Sequence, residues 1–377
     1  MLFFSCFFSI WAQSYKKNRN FANFFEETMI ISNLQTALKP HLDATHDGQL
    51  FVLVDSNTYT CCLPILLEFL GDRKVNLIVI PAGEASKNLS VVQQIWDELH
   101  SRAATREALL LNLGGGMITD LGGFAAATYM RGIRCVNLPT SLLAMVDASH
   151  GGKTGVNFKS VKNLIGCFSV PEDTVLYLPF LETLPIEEWL SGYAEMLKHA
   201  LLKDREHWYA LLNVDWNDKY PISTDILEVN MQVKSSIVTL DPEEKGMRKM
   251  LNFGHTIGHA IEESYASQGR KVCHGYCVMW GMVAELYLSV LRLGCPRDVL
   301  VHMSNKMIAL YGRPDCNCRH CNELIEWMKR DKKNQVCGKN GDIAVNFTLL
   351  HDVGNAHVDQ YVGNADLEEA LEYLFSL

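Results

Sequence analysis

The chain carries no surplus of basic residues: 34 Lys and Arg stand against 43 Asp and Glu, a formal net charge of −9 at pH 7. That balance argues against a nonspecific nucleic-acid binder, which needs a basic surface to neutralise phosphates. It leaves small anions open, because a few local lysines and arginines decide their binding. Internal repeats and low-complexity tracts are also missing, and with them the repeat architectures. Apart from the N-terminus, no segment has the roughly 20 apolar residues that span a bilayer, so no membrane association is expected. The N-terminal run, within "MLFFSCFFSIWAQ", is about a dozen residues, the size of a signal-peptide core. No positive charge precedes it, however, and "KKNR" follows it. Residues 1–28 are therefore expected to be an extension, disordered or a non-native start, with export as the alternative. The 12 cysteines lack the spacing of a secreted disulfide scaffold, so reduced thiols and a cytoplasmic location are expected. In "CNCRHC", Cys316 to Cys321, three cysteines crowd with His320, but there is no second knuckle to complete a zinc motif. A surface loop is expected there.

What is present is an ordinary globular composition, 48% hydrophobic and 20% charged over 377 residues, enough for roughly two domains of about 150 residues each. In the first half, strand-like runs at 50–56, 75–83, 107–116 and 133–141 alternate with helical spacing such as 89–101. Such alternation predicts an α/β domain of Rossmann-like type, a mostly parallel sheet with helices on both faces. From about residue 180 the pattern becomes helical, with amphipathic stretches near 186–203, 222–240, 246–266, 275–293 and 297–311. Two short strands and a final helix at 366–376 follow. The expected organisation is an α/β domain over 29–180 and a mainly α-helical domain over 181–377.

"LNLGGGMITDLGGFAAATYMRG" is a strand, three glycines and a helix of small residues that opens at Asp120. Glycines let a phosphate approach the backbone, and a helix N-terminus offers unpaired N–H groups and a positive dipole end. The same residues also suit a tight turn with close helix packing. Acids at strand ends, Asp55 in "VDSN" and Glu84 beside Lys87 in "PAGEASK", suit ribose hydroxyls at the carboxyl edge of a sheet; helix caps are the alternative. The polar segment 145–168 holds Asp147, Lys153, Lys162 and Asn163 among glycines, a supply of movable charges and amide groups for phosphate or carboxylate. Arg131 adds a fork for an anion.

"LNFGHTIGHAIEES" places His255 and His259 one helical turn apart without the glutamate of a HExxH motif. His274 follows, and Glu195 lies in "SGYAEMLKHALL" with Lys198 one turn on. Three imidazoles and a carboxylate suit a catalytic zinc with an open position; the spacing leaves open which histidine is spare. Arg248, Asn252, His255 and His259 follow i, i+4, i+7, i+11, a polar stripe expected on one continuous helix facing a charged substrate.

The ordered motifs GGGxxxDxxGFAAATYMRG, PTSLLAMVDxSxGGKTGVN, KNLIGxF, LxTLP, GxAExxKH and LNFGHTIGHAIE…HG resemble the 3-dehydroquinate synthase family of sugar phosphate cyclases, from about residue 50 to 290 and more loosely to the end. The resemblance implies an NAD⁺- and metal-dependent lyase of the shikimate pathway, usually a homodimer, with zinc or cobalt as the metal. Carried over by motif, it implies Glu195, His255 and His274 as metal ligands. Dinucleotide contacts fall at Asp55, Asn57, Glu84, Lys87, Gly115, Gly116, Asp120, Thr140, Ser141 and Thr183. Lys153 and Lys162 fall where cofactor and substrate meet. The implied substrate and catalytic residues are Arg131, Asp147, Asn163, Lys198, Lys234, Glu244, Arg248, Asn252, His259 and Lys332. Tyr276 stands where the family often has glutamate, and Ala148 and His150 replace commoner residues; none is a ligand. The chemistry implied is transient oxidation of a ring carbinol, β-elimination of phosphate, reduction, ring opening and aldol closure, with no net redox change. Alternatives are another sugar phosphate cyclase such as 2-deoxy-scyllo-inosose synthase, a metal-dependent polyol dehydrogenase, or a noncatalytic NAD-binding regulator.

Overall fold

A computed structural model describes residues 30–159, 161–218, 221–242, 244–316, 318–330, 335–336 and 343–377. The expectation for residues 1–28, like that for Lys332, falls outside them. The chain divides into two compact units, one ending at Pro185 and one beginning at Ile186.

The first unit opens with α1 (Leu34–Asp43), β1 (Leu50–Asp55), α2 (Ser56–Cys61), α3 (Leu63–Leu70) and β2 (Asn76–Ile80). It continues with α4 (Leu89–Ser101), β3 (Leu109–Gly114), α5 (Gly116–Thr128) and β4 (Arg134–Pro139). A hairpin, β5 (Lys153–Phe158) and β6 (Val161–Phe168), and the short β7 (Asp173–Thr174) complete it. β1, β2, β3, β4 and β7 form one parallel sheet in the order β2-β1-β3-β4-β7. Side chains alternate across it. Phe51 and Leu53 pack with Val92 and Ile95 of α4 and Leu121 of α5. Leu50, Val52 and Val54 pack on the other face with Leu34 and Leu38 of α1 and Leu66 of α3. A sheet covered on both faces needs apolar strands, and the five apolar residues of β1, Leu50 to Val54, are all buried. Each such side chain contributes roughly 1.5–3 kcal/mol of transfer free energy.

At the end of α1, His41 Nε2 lies 3.1 Å from Asp173 Oδ2 and Nδ1 lies 3.4 Å from Glu172 Oε2, while Arg134 also holds Glu172. The hydrogen bond to Asp173 raises the His41 pKa against the opposing effect of burial, helped by the two acidic charges. A raised folded-state value means that the pair stabilises fully below the unfolded histidine pKa of ~6.5 and is lost as pH rises through the folded value. His41→Gln is therefore expected to cost up to about 1 kcal/mol near pH 6 and little near pH 9. Melting curves at the two pH values check this; equal losses at both refute it.

The second unit contains α6 (Ile186–Lys203), α7 (Arg205–Leu212), α8 (Thr224–Leu240), α9 (His255–Ser267), α10 (His274–Leu293) and α11 (Arg297–Leu310). After them come α12 (Cys321–Lys329), β8 (Gln335–Val336), β9 (Ile343–Asp352), β10 (Asn355–Val362) and α13 (Asn364–Ser376). The last three strands form a small antiparallel sheet. α10 is the central helix and packs on α6, α9, α11, α13 and β9. It is long and apolar enough to cross a membrane, but 67% of its apolar window is buried within the fold, which corrects the expectation that no such segment occurs beyond the N-terminus.

Three further expectations are corrected, and the polar segment 145–168 folds in large part as the β5–β6 hairpin, because Gly155 and Gly166 let the two backbones meet without side chains between them. α5 begins at Gly116 rather than at Asp120, since Gly115 already caps it. The continuous helix over 246–266 is broken: Met247–Asn252 forms a 3₁₀ turn, and Gly254, at φ 80°, reverses the chain before α9 starts. The loop expected around the cysteine cluster becomes helical, with Cys321 buried as the first residue of α12; Asn317 lies outside the described residues.

Candidate active site

In the first unit the strand order reverses between β1 and β3, which are neighbours while β2 lies on the far side of β1. Ligands of open α/β sheets bind beyond the carboxyl ends of the strands at such a point. The residues that end these strands are those singled out from the sequence: Asp55 after β1, Glu84 and Lys87 after β2, Gly115 and Gly116 after β3, Thr140 and Ser141 after β4. α5 starts directly on the glycines with no side-chain cap, a helix N-terminus of the kind that suits an anion, although the Ile118 N–H already bonds the Gly115 carbonyl at 3.0 Å. Packing restricts the glycines as well: a Cβ on Gly116 would stand 2.9 Å from that of Ala148.

The polar side chains form a network. Buried Lys87 donates from Nζ to Asp120 Oδ2 at 2.5 Å and to Asn163 Oδ1 at 2.6 Å. Asn157 donates from Nδ2 to Glu84 Oε1 at 2.7 Å and accepts the Asn163 N–H at 2.9 Å. Asn157 was not foreseen; its signal was only its place in the same polar segment. Lys153 and Lys162 extend from the hairpin and are exposed, as are Asn57, Arg131 and Thr183. Asp147 lies in the π-turn Ala144–Ala148. Asp55 also caps α2, accepting the N–H groups of Asn57 and Thr58 at 2.9 Å each, so the capping alternative holds for it, and the carboxylate is aimed by that role. Arg131 and Asn163 sit at φ 67° and 50°, a region uncommon outside glycine and concentrated at functional sites.

In the second unit three helices bring acid and imidazoles together. Glu195, on α6, is fully buried. Its Oε1 lies 3.4 Å from His255 Nε2 and 3.6 Å from His274 Nε2. Ligands ~2.1 Å from a tetrahedral zinc stand roughly 3.4 Å from one another, so these tips are spaced as ligands of one ion. Neither carboxylate oxygen of Glu195 has a hydrogen bond of good geometry, although Lys198 pairs with Oε2. The first fact suits a cation at Oε1, the oxygen that faces the two imidazoles; at Oε2 the Lys198 ammonium already supplies the opposite charge. The outer nitrogens are held too: His255 Nδ1 is 3.1 Å from the Phe253 carbonyl, and His274 Nδ1 is 3.3 Å from Glu262 Oε2, an arrangement that turns each Nε2 inward. Glu262 was missed, yet it continues the helical stripe of His255 and His259 at i+7. His259 is exposed, its ring 5.2 Å from that of His255 and 5.7 Å from that of His274, and its ligating atom also falls within range of the other two histidines.

The charges agree with this geometry. Burial would raise the Glu195 carboxyl, but the Lys198 ammonium and the two histidines hold it well below the ordinary range. Burial and Lys198 lower His255 and keep it neutral, the form that ligates. For His274, burial is outweighed by Glu262 and Glu195, and the pKa rises to about 10; a bound cation would take over the role of that proton.

Glu244, Arg248 and Asn252 gather around one loop. Asp241 accepts N–H bonds from Lys245, Gly246 and Arg248 at 3.0, 2.7 and 3.0 Å, which folds the segment that carries Glu244, itself at φ 59°. Asn252 donates to Glu244 Oε1 at 3.0 Å, and buried Arg248 to the Pro242 carbonyl at 2.6 Å. Lys234 is buried on α8. Asp241 is a further residue that spacing did not reveal.

Comparison with known proteins places these observations. A family model described as 3-dehydroquinate synthase N-terminal matches residues 77–191, and one described as 3-dehydroquinate synthase C-terminal matches 192–334. A 3-dehydroquinate synthase of Parabacteroides distasonis is 40% identical over 92% of this chain and 97% of its own. One from Pyrococcus furiosus is 38% identical over 92% and 98%. Among solved structures, 2-epi-5-epi-valiolone synthase from Streptomyces hygroscopicus, with NAD⁺ and Zn²⁺ bound, aligns at TM-score 0.79 and 25% identity over 92% of this chain and 96% of that one. A 2-deoxy-scyllo-inosose synthase complexed with carbaglucose-6-phosphate, NAD⁺ and Co²⁺ aligns at TM-score 0.77 and 21% identity over the same shares.

Proposed function

Because the chain belongs to the 3-dehydroquinate synthase family, we propose that it converts 3-deoxy-D-arabino-heptulosonate 7-phosphate to 3-dehydroquinate and phosphate, with NAD⁺ on the first unit and a divalent cation, zinc or cobalt, on the second. The observation that carries the metal half of this reading is the convergence of Glu195, His255 and His274 at ligand spacing. The cofactor half is supported by the glycine loop and the Lys87–Asp120–Asn163 network at the strand-order reversal.

When bound, the nicotinamide supplies a hydride acceptor and then a donor, and the cation supplies Lewis acidity toward the substrate hydroxyls. The protein's own groups do the rest. Asp55, Asn57, Glu84, Thr140, Ser141 and Thr183 hold the dinucleotide, and Gly115, Gly116 and the start of α5 receive its phosphates. Lys153, Lys162 and Arg131 neutralise the substrate's phosphate and carboxylate and fix its orientation; Asn163, Asp147, Lys234, Arg248 and Asn252 take its hydroxyl and anionic groups. Lys198 keeps Glu195 ionised. Glu244, oriented by Asn252, moves a proton at the reacting carbons, and His259 places the phosphate end, which can itself accept the proton as it leaves. The enzyme is a cytoplasmic homodimer in this reading; light scattering tests the dimer, and fractionation of cells tests the location.

One assay decides the function. Heptulosonate phosphate with a catalytic amount of NAD⁺ is expected to yield equal phosphate and dehydroquinate and no lasting NADH. Stoichiometric NADH would instead indicate a dehydrogenase, and turnover of a sugar phosphate that lacks the carboxylate in its place a related cyclase. In the same assay His259→Ala should lose about 10²-fold in rate while keeping its metal; unchanged turnover would remove His259 from the mechanism.

A further inference from the structure

We propose that Glu285 is a positioning residue of the metal centre: its buried carboxylate holds the first turn of α9 and thereby aims His255. The inference rests on the metal-centre reading above.

α9 begins without a cap of its own. Its N-cap is Gly254, which has no side chain and stands at φ 80°. Glu285 makes up for this from another helix. Its Oε2 accepts the Gly254 N–H at 2.6 Å and its Oε1 accepts the Ile257 N–H at 3.1 Å. The two amides lie on either side of His255 in the chain, so one rigid group grips the backbone on both flanks of that residue. Glu285 has no exposed surface and belongs to α10, the helix that begins with His274. One carboxylate thus ties the helix of one imidazole to the helix of the other.

Charge makes the choice of residue specific. A carboxylate at a helix N-terminus meets the positive end of the dipole and unpaired N–H donors. A glutamine of the same size offers a single acceptor oxygen and would set its NH₂ against one of the two amides. An apolar residue would leave both donors buried and unpaired. Ordinary helix capping would be served by a serine or aspartate beside the helix; a remote acid adds a constraint between α9 and α10.

The test compares metal-free wild type with Glu285→Gln, titrated with Zn²⁺ against a chromophoric chelator, with the absorption spectrum of the Co²⁺ form recorded for each. The variant is expected to bind zinc about tenfold more weakly or worse and to show a shifted cobalt spectrum, while NAD⁺ affinity stays unchanged. Wild-type zinc affinity with an unchanged cobalt spectrum, whatever the melting temperature, would overturn the proposal and leave Glu285 a purely structural acid. If the variant does not fold, hydrogen exchange on the metal-free wild type decides: protected Gly254 and Ile257 amides support the clamp, and rapid exchange at both overturns it. A wild-type protein that binds no zinc at all, or a Glu195→Gln variant that binds it normally, would instead refute the metal centre itself.

Discussion

Glu195→Gln is expected to lose its metal and its turnover together, with activity falling by about 10³-fold or more, because Lewis-acid stabilisation is worth several kcal/mol at roughly 1.36 kcal/mol per factor of ten. The exchange keeps the volume and removes the charge. What remains is two imidazoles and a neutral amide, a poor set for a divalent cation. A second cost falls on stability. Lys198 is 1% exposed and pairs with Glu195; stripping the partner from a buried ammonium costs roughly 3–5 kcal/mol unless the lysine gives up its proton. The folded fraction must therefore be measured alongside metal content by elemental analysis. Folded protein with a full equivalent of zinc would show that the carboxylate does not ligate and that the two histidines act without it.

Gly281→Ala should be nearly as damaging, although it lies on neither the substrate nor the metal. In an isolated helix the change would stabilise by about 1 kcal/mol. Here a Cβ would come within 2.1 Å of the Gly254 carbonyl oxygen and 2.6 Å of the Gly258 nitrogen. Both are backbone atoms, so no side chain can step aside, and α9 must move off α10. Overpacking of this kind costs typically 1–3 kcal/mol, and at a backbone contact the upper end is expected, so sterics outweigh propensity. The melting temperature should fall by about 5 °C. The larger effect is on the site, since α9 carries His255 and α10 begins with His274: zinc affinity is expected to drop about a hundredfold, at the upper end of the range for residues that position ligands. Gly363→Ala, where an added Cβ would meet nothing within 4 Å, is the control: it should leave zinc binding unchanged and cost only the small preference for glycine at the N-cap of α13. Wild-type melting and zinc binding in Gly281→Ala would show that the close crossing of the two helices is not what holds the imidazoles together.

The fold class and much of the secondary structure could be read from the chain, because they follow from local patterns. Short apolar runs ended by turn residues become β1 to β4, and the spacing of Val91, Val92, Ile95 and Leu99 becomes α4 at its expected bounds. The short helices α7 and α12 escaped that reading, since eight or nine residues hold little periodicity. Motif spacing left open which of His255, His259 and His274 is spare; the family resemblance implied Glu195, His255 and His274, and Glu195 Oε1 lies 3.4 and 3.6 Å from the two imidazoles. Spacing could not supply the break at Gly254, where a positive φ divides one polar stripe between a 3₁₀ turn and a helix. Nor could it supply Asn157 or Glu285, whose importance lies in which distant backbone or side chain each one touches, or Asp241, whose role is set by the turn it closes.

Local pattern was enough for the parts: the parallel sheet, most of the helices, and residue types able to hold a dinucleotide and a cation. Which imidazole faces which carboxylate, and which buried acids aim them, follows from the packed fold alone. The difference is one of range. Propensity and periodicity act within a few residues, whereas Glu285 and Gly254 are joined across 31 positions of chain by packing that exists only once the helices have met.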